Sequence, residues 1–456
     1  MCPSDSLKKQ AIGLESAPIG PNTLVVAANK NDRFRLHDDE ALQVSDLDNL
    51  IHPIFHYSNF SNTDPHMQQA LKLASMFLQY DTTLEFFVSP LFGRVLTADG
   101  KTYLSDPLLN AGDDKRKLLL RNVREALHCL SHSITFRFVP EKTKTFWART
   151  LIGNTRPTHF ESCTKAFQKH LSALVEVRSN YLDYYRNKNG YAASSLGDRY
   201  RHDFHFAQCL LHEMTHALGV LRRGNMQEPN IRYDHHCDPE WGYAWENFMF
   251  GGIINPQDRS VDGTHILLSK VWADPKTVRR AGGKEYNAVP VSYIAQWFQK
   301  ARWNIIKRHG PLGVSAPISH LKIQCSTIYG RWIVYSDCRE TKQHIKELHD
   351  TYTRKLAEDE ANHKSIPPEA AFITTVKWQY ATTKELQKSS VPVPTRIPKR
   401  NKLMAVAAAF YSEPSSPASS VHLEASSEMG PRLGRRKRKA DSDTESSRPK
   451  KSIKPF

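Results

Sequence analysis

Two histidines four positions apart, with a glutamate directly after the first, occur in the run Cys209-Leu210-Leu211-His212-Glu213-Met214-Thr215-His216-Ala217-Leu218-Gly219. On a helix, residues four apart lie one above the other, so the imidazoles of His212 and His216 can reach one metal ion together. Glu213 falls where a carboxylate can lean over a water on that ion without binding the metal itself. Two neutral nitrogens, an adjacent base and an open coordination position are what a hydrolytic Zn²⁺ centre requires.

A third protein donor is needed. The extended pattern His-Glu-x-x-His-x-x-Gly-x-x-His is matched through Gly219 but has Arg222 at its last position. A guanidinium is permanently protonated and cannot bind zinc. The next helix is the other source. Asp238 suits an N-cap, Pro239 the first helical position and Gly251 a terminator, which places a helix over 239–250. Glu246 lies there on an apolar stripe, with Gly242, Tyr243, Met249 and Phe250 one turn away on either side. A carboxylate in that setting is costly unless it has a partner, and a metal ion is such a partner. Glu240 has a different explanation: negative charge in a first turn is favoured by the helix dipole. The expected ligands are therefore His212, His216 and Glu246, with Glu213 as general base.

The element that must position the motif is a helix over about 203–221. Leu210, Met214, Ala217, Leu218 and Leu221 form its apolar face, and His205, Cys209, His212 and His216 fall along another. Gly224 closes it. Before it, periodicity predicts helices from Asp64-Pro65 to about Leu78 and over 113–131. Strands are predicted at Ile134–Val139 and from Leu174. After it come an apolar and aromatic stretch at 289–306, a strand at Trp332–Tyr335 and a surface helix at 344–358. Helices and strands in this order predict an α+β fold: helices on a small mixed sheet, with the metal-binding helix central. Residues 1–45 read as a weakly ordered lead-in, 46–385 as the folded domain and 386–456 as a disordered basic tail rich in Pro, Ser and Ala.

The 456 residues are 39% hydrophobic and 10% aromatic, enough for a substantial core. No apolar run approaches the roughly 20 residues of a membrane span, and Met1–Ser6 does not open a signal peptide. Seven scattered cysteines, with no Cys-x-x-Cys pair, suit a reduced intracellular compartment. The net charge is +16, and residues 387–456 carry 15 Lys/Arg against 6 Asp/Glu. Over half the excess thus lies in the tail. Arg435–Lys439 and Arg448–Lys451 form two basic clusters separated by a linker containing Ser442, Thr444 and Ser446. The arrangement resembles a bipartite nuclear localisation signal. It implies a nuclear import receptor as partner and a nuclear or nucleocytoplasmic location. Phosphate on the linker would add negative charge beside the clusters. Non-specific nucleic-acid contact through phosphates is the other reading of the charge; no zinc finger or RNP-like pattern supports sequence-specific binding.

The motif followed about 30 residues later by a helical Glu resembles the glutamate-zincin group of metallopeptidases, of the thermolysin type. The run Glu246-Asn247-Phe248-Met249-Phe250-Gly251-Gly252 also resembles the surroundings of the third zinc ligand in clostridial neurotoxin light chains. The resemblance covers about 40 of the 456 residues. It implies a zincin-like domain that hydrolyses amide bonds in a protein or peptide substrate, through metal-bound water and with Glu213 as base. In the thermolysin type an Asp four residues past the ligand Glu orients the first His; here that position is Phe250. Leu211–Ala217 is also similar to the motif of SprT-like nuclear proteases, which take a later His as third ligand, and His235 or His236 would fill that part. Tyr293 and His265 are of the right type to stabilise an oxyanion. The alternative function is a zincin-like scaffold or binding protein without catalysis.

Overall fold

Asp64 opens the first predicted helical run by accepting a hydrogen bond from the His66 backbone N–H at 2.9 Å. A 3-10 turn with Pro65 at its start then leads into helix α1 (Gln68–Met76). The predicted helix over 113–131 is present at those bounds as α3 (Asp113–Ser131), preceded by α2 (Asp81–Phe92). The remaining described helices are α4 (Asn180–Arg186), α5 (Leu196–Arg223), α6 (Trp241–Phe250), α7 (Pro275–Arg280), α8 (Val291–Ala295) and α9 (Lys300–His309). The computed structural model describes residues 34–326, apart from 141–145, 156, 158–160, 162, 168–170, 233–238, 257–265, 282, 315–316 and 318–320. It also describes the backbone of 331–335 and 377–378 and single positions at 25, 29 and 32. The predicted helix at 344–358 and the tail with both basic clusters lie outside the described residues.

Three sheets are present among the described residues. Strands β1 (Val95–Ala98) and β2 (Lys101–Leu104) form an antiparallel hairpin. Strands β3 (Ile134–Val139), β4 (Ala148–Gly153) and β5 (Ser172–Arg178) form a mixed sheet in the order β3-β5-β4, parallel between β3 and β5 and antiparallel between β5 and β4. The third sheet has β11 (Lys377–Trp378), β10 (Arg331–Tyr335), β9 (Lys322–Ser326), β8 (Gly283–Ala288), β7 (Leu268–Lys270) and β6 (Ile253–Asn255) in that spatial order. The fold is α+β. No described helix is long and apolar enough to cross a membrane.

Helix α5 lies at the centre, packed on α1, α6, α8 and strands β4 and β5. It starts seven residues before the predicted point because Ser195 caps it, accepting from the Asp198 N–H at 3.1 Å. It ends at Gly224, whose φ of 73° is the left-handed conformation that glycine adopts without a Cβ penalty. Its first turns bury polar side chains that must be satisfied internally. Arg201 donates to the backbone carbonyls of Leu36 and His37 and pairs with Asp198. On its other flank α6 is clamped by aromatics: Phe77 meets Trp245 at 5.3 Å and Trp303 at 5.1 Å, and Phe250 meets Trp297 at 5.1 Å. Edge-to-face pairs of this kind contribute about 0.5–1.5 kcal/mol each beyond the area they bury.

Asp203 ties α5 to its surroundings. Its carboxylate accepts from Tyr185 at 2.7 Å, Tyr191 at 2.6 Å and Gln69 at 2.7 Å, with no solvent exposure. Burial outweighs these three donors and pushes its pKa up to about 7. A carboxyl raised in the native state keeps its proton where the unfolded chain has lost it. Stability from this group is therefore fully present below about pH 4 and lost as the pH rises through about 7, a change on the order of 4 kcal/mol. Asp203→Asn removes that dependence. Urea unfolding at pH 4.5 and 7.5 should show the variant furthest below wild type at the acidic pH. A difference that does not vary with pH would refute the assignment.

Candidate metal centre

Helix α5 brings His212 and His216 together, with ring centroids 5.1 Å apart. Both Nε2 atoms approach one oxygen: Glu240 Oε1 lies 2.9 Å from that of His212 and 3.0 Å from that of His216. One donor atom from each of the three residues lies within 4.8 Å of the others. Glu240 is also the N-cap of α6, where its Oε2 accepts from the Tyr243 backbone N–H. The helix therefore starts two residues later than predicted, with Glu240 rather than Asp238 as its N-cap. The capping carboxylate has two tasks, one for each oxygen.

Glu246 occupies a different position from that expected of it. Its Oε1 lies 2.7 Å from Nδ1 of His212, the ring nitrogen on the opposite side from Glu240. The apolar setting that singled it out is real, since the residue is buried. The histidine partners Oε1, while Oε2 is buried without a hydrogen-bond partner. His216 has a matching support from outside both helices. Glu228, in the segment between α5 and α6, accepts from His216 Nδ1 at 2.6 Å with Oε1 and from the Trp241 backbone N–H at 2.9 Å with Oε2. Each imidazole is thus held from behind by a carboxylate while its Nε2 faces Glu240. Glu228 carried no sequence signal, because it stands in a polar stretch without periodicity.

Close packing fixes the first ring further. A Cβ on Gly242 would lie 2.4–2.5 Å from Cδ2, Nε2 and Cε1 of His212, so only glycine allows α6 this near. Tyr243 lies edge-on to the same imidazole at 5.0 Å, and the Lys270 ammonium stands 6.0 Å from its ring. Glu213 is buried, and its Oε2 lies 2.8 Å from the hydroxyl of Thr150 on β4.

The charges are interdependent. Burial opposes a charged imidazole at both histidines. The Glu240 charge outweighs it at His212 and holds that ring well above its ordinary pKa. Hydrogen bonds to Glu228 and Glu240 outweigh it at His216, which is pushed up to about 10. Burial raises Glu240, but the two imidazoles hold its carboxyl well below the usual carboxylate range. Glu246 is raised by its complete burial, against the pull of His212. A metal would replace the protons on the two Nε2 atoms.

Of the residues suggested for an oxyanion, Tyr293 is buried with its ring packed on Trp297 and beneath Arg302. His265, and the alternative ligands His235 and His236, lie outside the described residues. Comparison of the chain with protein-family models, curated proteins and solved structures finds no match.

Proposed function

We propose that the chain is a zinc-dependent peptidase with a zincin-like domain, in which His212, His216 and Glu240 hold the metal and Glu213 is the general base. The observation that carries this reading is the convergence of two imidazole Nε2 atoms on one carboxylate oxygen, next to a buried glutamate. Two nitrogens and one carboxylate suit Zn²⁺ and leave a coordination position open. When bound, the ion polarises the scissile carbonyl and makes water a nucleophile near neutral pH.

The chain's own groups do the rest. Glu246 and Glu228 hold the two imidazoles with Nδ1 protonated and the Nε2 lone pair forward, which also raises their basicity as ligands. Glu213 takes the proton of the attacking water and returns it to the leaving amine. Strand β4 is the edge of its sheet among the described residues and touches α5 beside the site. An extended peptide pairing with that edge would bring its backbone alongside Glu213. The two basic clusters of the tail support import by a nuclear receptor and hence a nuclear or nucleocytoplasmic site of action.

The test is metal analysis of the full-length protein together with Glu213→Gln. One equivalent of zinc is expected in both proteins. Hydrolysis of dye-labelled casein should fall about 10²–10⁴-fold in the variant, the usual worth of a general base. Absence of zinc from the wild type would remove the enzyme reading. Zinc at one equivalent without Glu213-dependent hydrolysis would indicate a scaffold instead.

A further inference from the structure

Thr150 is the residue of β4 whose side chain enters the site. It is 8% exposed, and its single hydroxyl proton faces two acceptors on Glu213: the backbone carbonyl at 2.9 Å and Oε2 at 2.8 Å. The neighbouring residue Arg149 belongs to the opposite face of the strand. There its Nε donates to Glu176 Oε2 at 2.8 Å, and its Nη2 lies 2.6 Å from the same oxygen. Glu176, on β5, stands opposite Arg149 of β4 and opposite Arg137 of β3, and Arg137 holds its other oxygen. Strand β4 is thus fastened to its sheet through Arg149 on one face and to the motif helix through Thr150 on the other.

A carboxylate on a helix has several rotamers, and only some turn an oxygen towards a reacting water. With the β4 hydroxyl on Oε2, Oε1 would be the oxygen that exchanges a proton. We propose that Thr150 is a positioning residue for Glu213, holding the base from the strand against which a peptide substrate would lie. The proposal rests on the peptidase reading for its kinetic consequence, but the contact itself does not. Geometry of this kind is where small displacements are expensive, because a misplaced catalytic group loses rate without losing binding.

The experiment compares Thr150→Val, which keeps the shape and removes the hydroxyl, with Thr150→Ser, which restores it. With dye-labelled casein, Thr150→Val should lower kcat about ten- to a hundredfold with KM changed less than about twofold, and Thr150→Ser should recover most of that loss. Zinc should stay at one equivalent in both, and the visible spectrum of the cobalt-substituted protein should match wild type, since no ligand is touched. A Thr150→Val protein as active as wild type, or a Thr150→Ser protein as impaired as Thr150→Val, would overturn the proposal.

A second readout does not need activity. Melting temperatures are compared for wild type, Thr150→Val, Glu213→Ala and the double variant. Contact between the two side chains requires the double variant to lose less than the two single losses combined. Strictly additive losses would overturn the proposal. If wild type cleaves no casein, the peptidase reading falls alone, and this cycle still decides whether Thr150 holds Glu213.

Discussion

Glu240→Ala should leave the protein without zinc, while Glu246→Ala should still bind one equivalent, about 10–100-fold more weakly. The contrast follows from which nitrogen each carboxylate meets. Glu240 reaches both Nε2 atoms, so under the proposed ligand set its loss would remove one of the three metal donors. Glu246 meets Nδ1 of His212, so its loss frees the ring to rotate and lowers its basicity, a change of the size seen for outer carboxylate partners. Because Glu240 also caps α6, alanine would cost about 1 kcal/mol of stability by a separate route. Glu240→Ser separates the two effects, since serine caps a helix well but is too short to meet the histidines. Competition with a chromophoric chelator reads the affinities. If Glu246→Ala abolishes binding and Glu240→Ser keeps it, the roles of the two glutamates are the reverse of those proposed.

Gly242→Ala should abolish tight zinc binding without unfolding the protein. The added methyl would lie 2.4–2.5 Å from three atoms of the His212 ring, well inside van der Waals contact. The ring cannot simply recede, because Glu246 holds Nδ1 and Tyr243 packs against it. Either the imidazole turns away from the site or α6 shifts, and the aromatic clamp of Trp245 and Phe250 resists the shift. Alanine is intrinsically the better helix former by about 1 kcal/mol, so the metal-free variant keeps its helix. Circular dichroism should show a native spectrum and a melting temperature near that of metal-free wild type, alongside a zinc affinity lowered by more than about a hundredfold. Wild-type affinity in this variant would mean that the ring is not confined.

The legible part of the centre was the part written in short-range order. His212, Glu213 and His216 lie within one helical turn and a bit, so helix geometry alone brings them together. The α+β class followed from periodic stretches such as Ile134–Val139 and Asp113–Ser131, which the structure reproduces at the same bounds. The third carboxylate of the proposed set was harder to choose because Glu240 caps the helix that carries Glu246, and each had a sufficient local explanation. Only the structure puts Glu240 at the N-cap, a position where glutamate is not among the favoured residues. Glu228 and Thr150 could not be read locally at all. They reach the site from an irregular segment and from a strand with weak alternation, and only tertiary packing places them there. The start of α5 was hidden for a related reason. Its first turns are rich in Arg, His and Asp, which look solvated until Asp203 and Arg201 are seen buried among internal partners.

The double attachment of Glu240 also bears on how such a chain would age under mutation. Capping alone tolerates Ser, Thr, Asp or Asn at that position, so α6 would survive exchanges that ended any meeting with the histidines. A descendant released from selection on chemistry could drift there first, keeping its fold and its two histidines intact. Position 240, more than the better-known histidine pair, would then tell working descendants from silent ones.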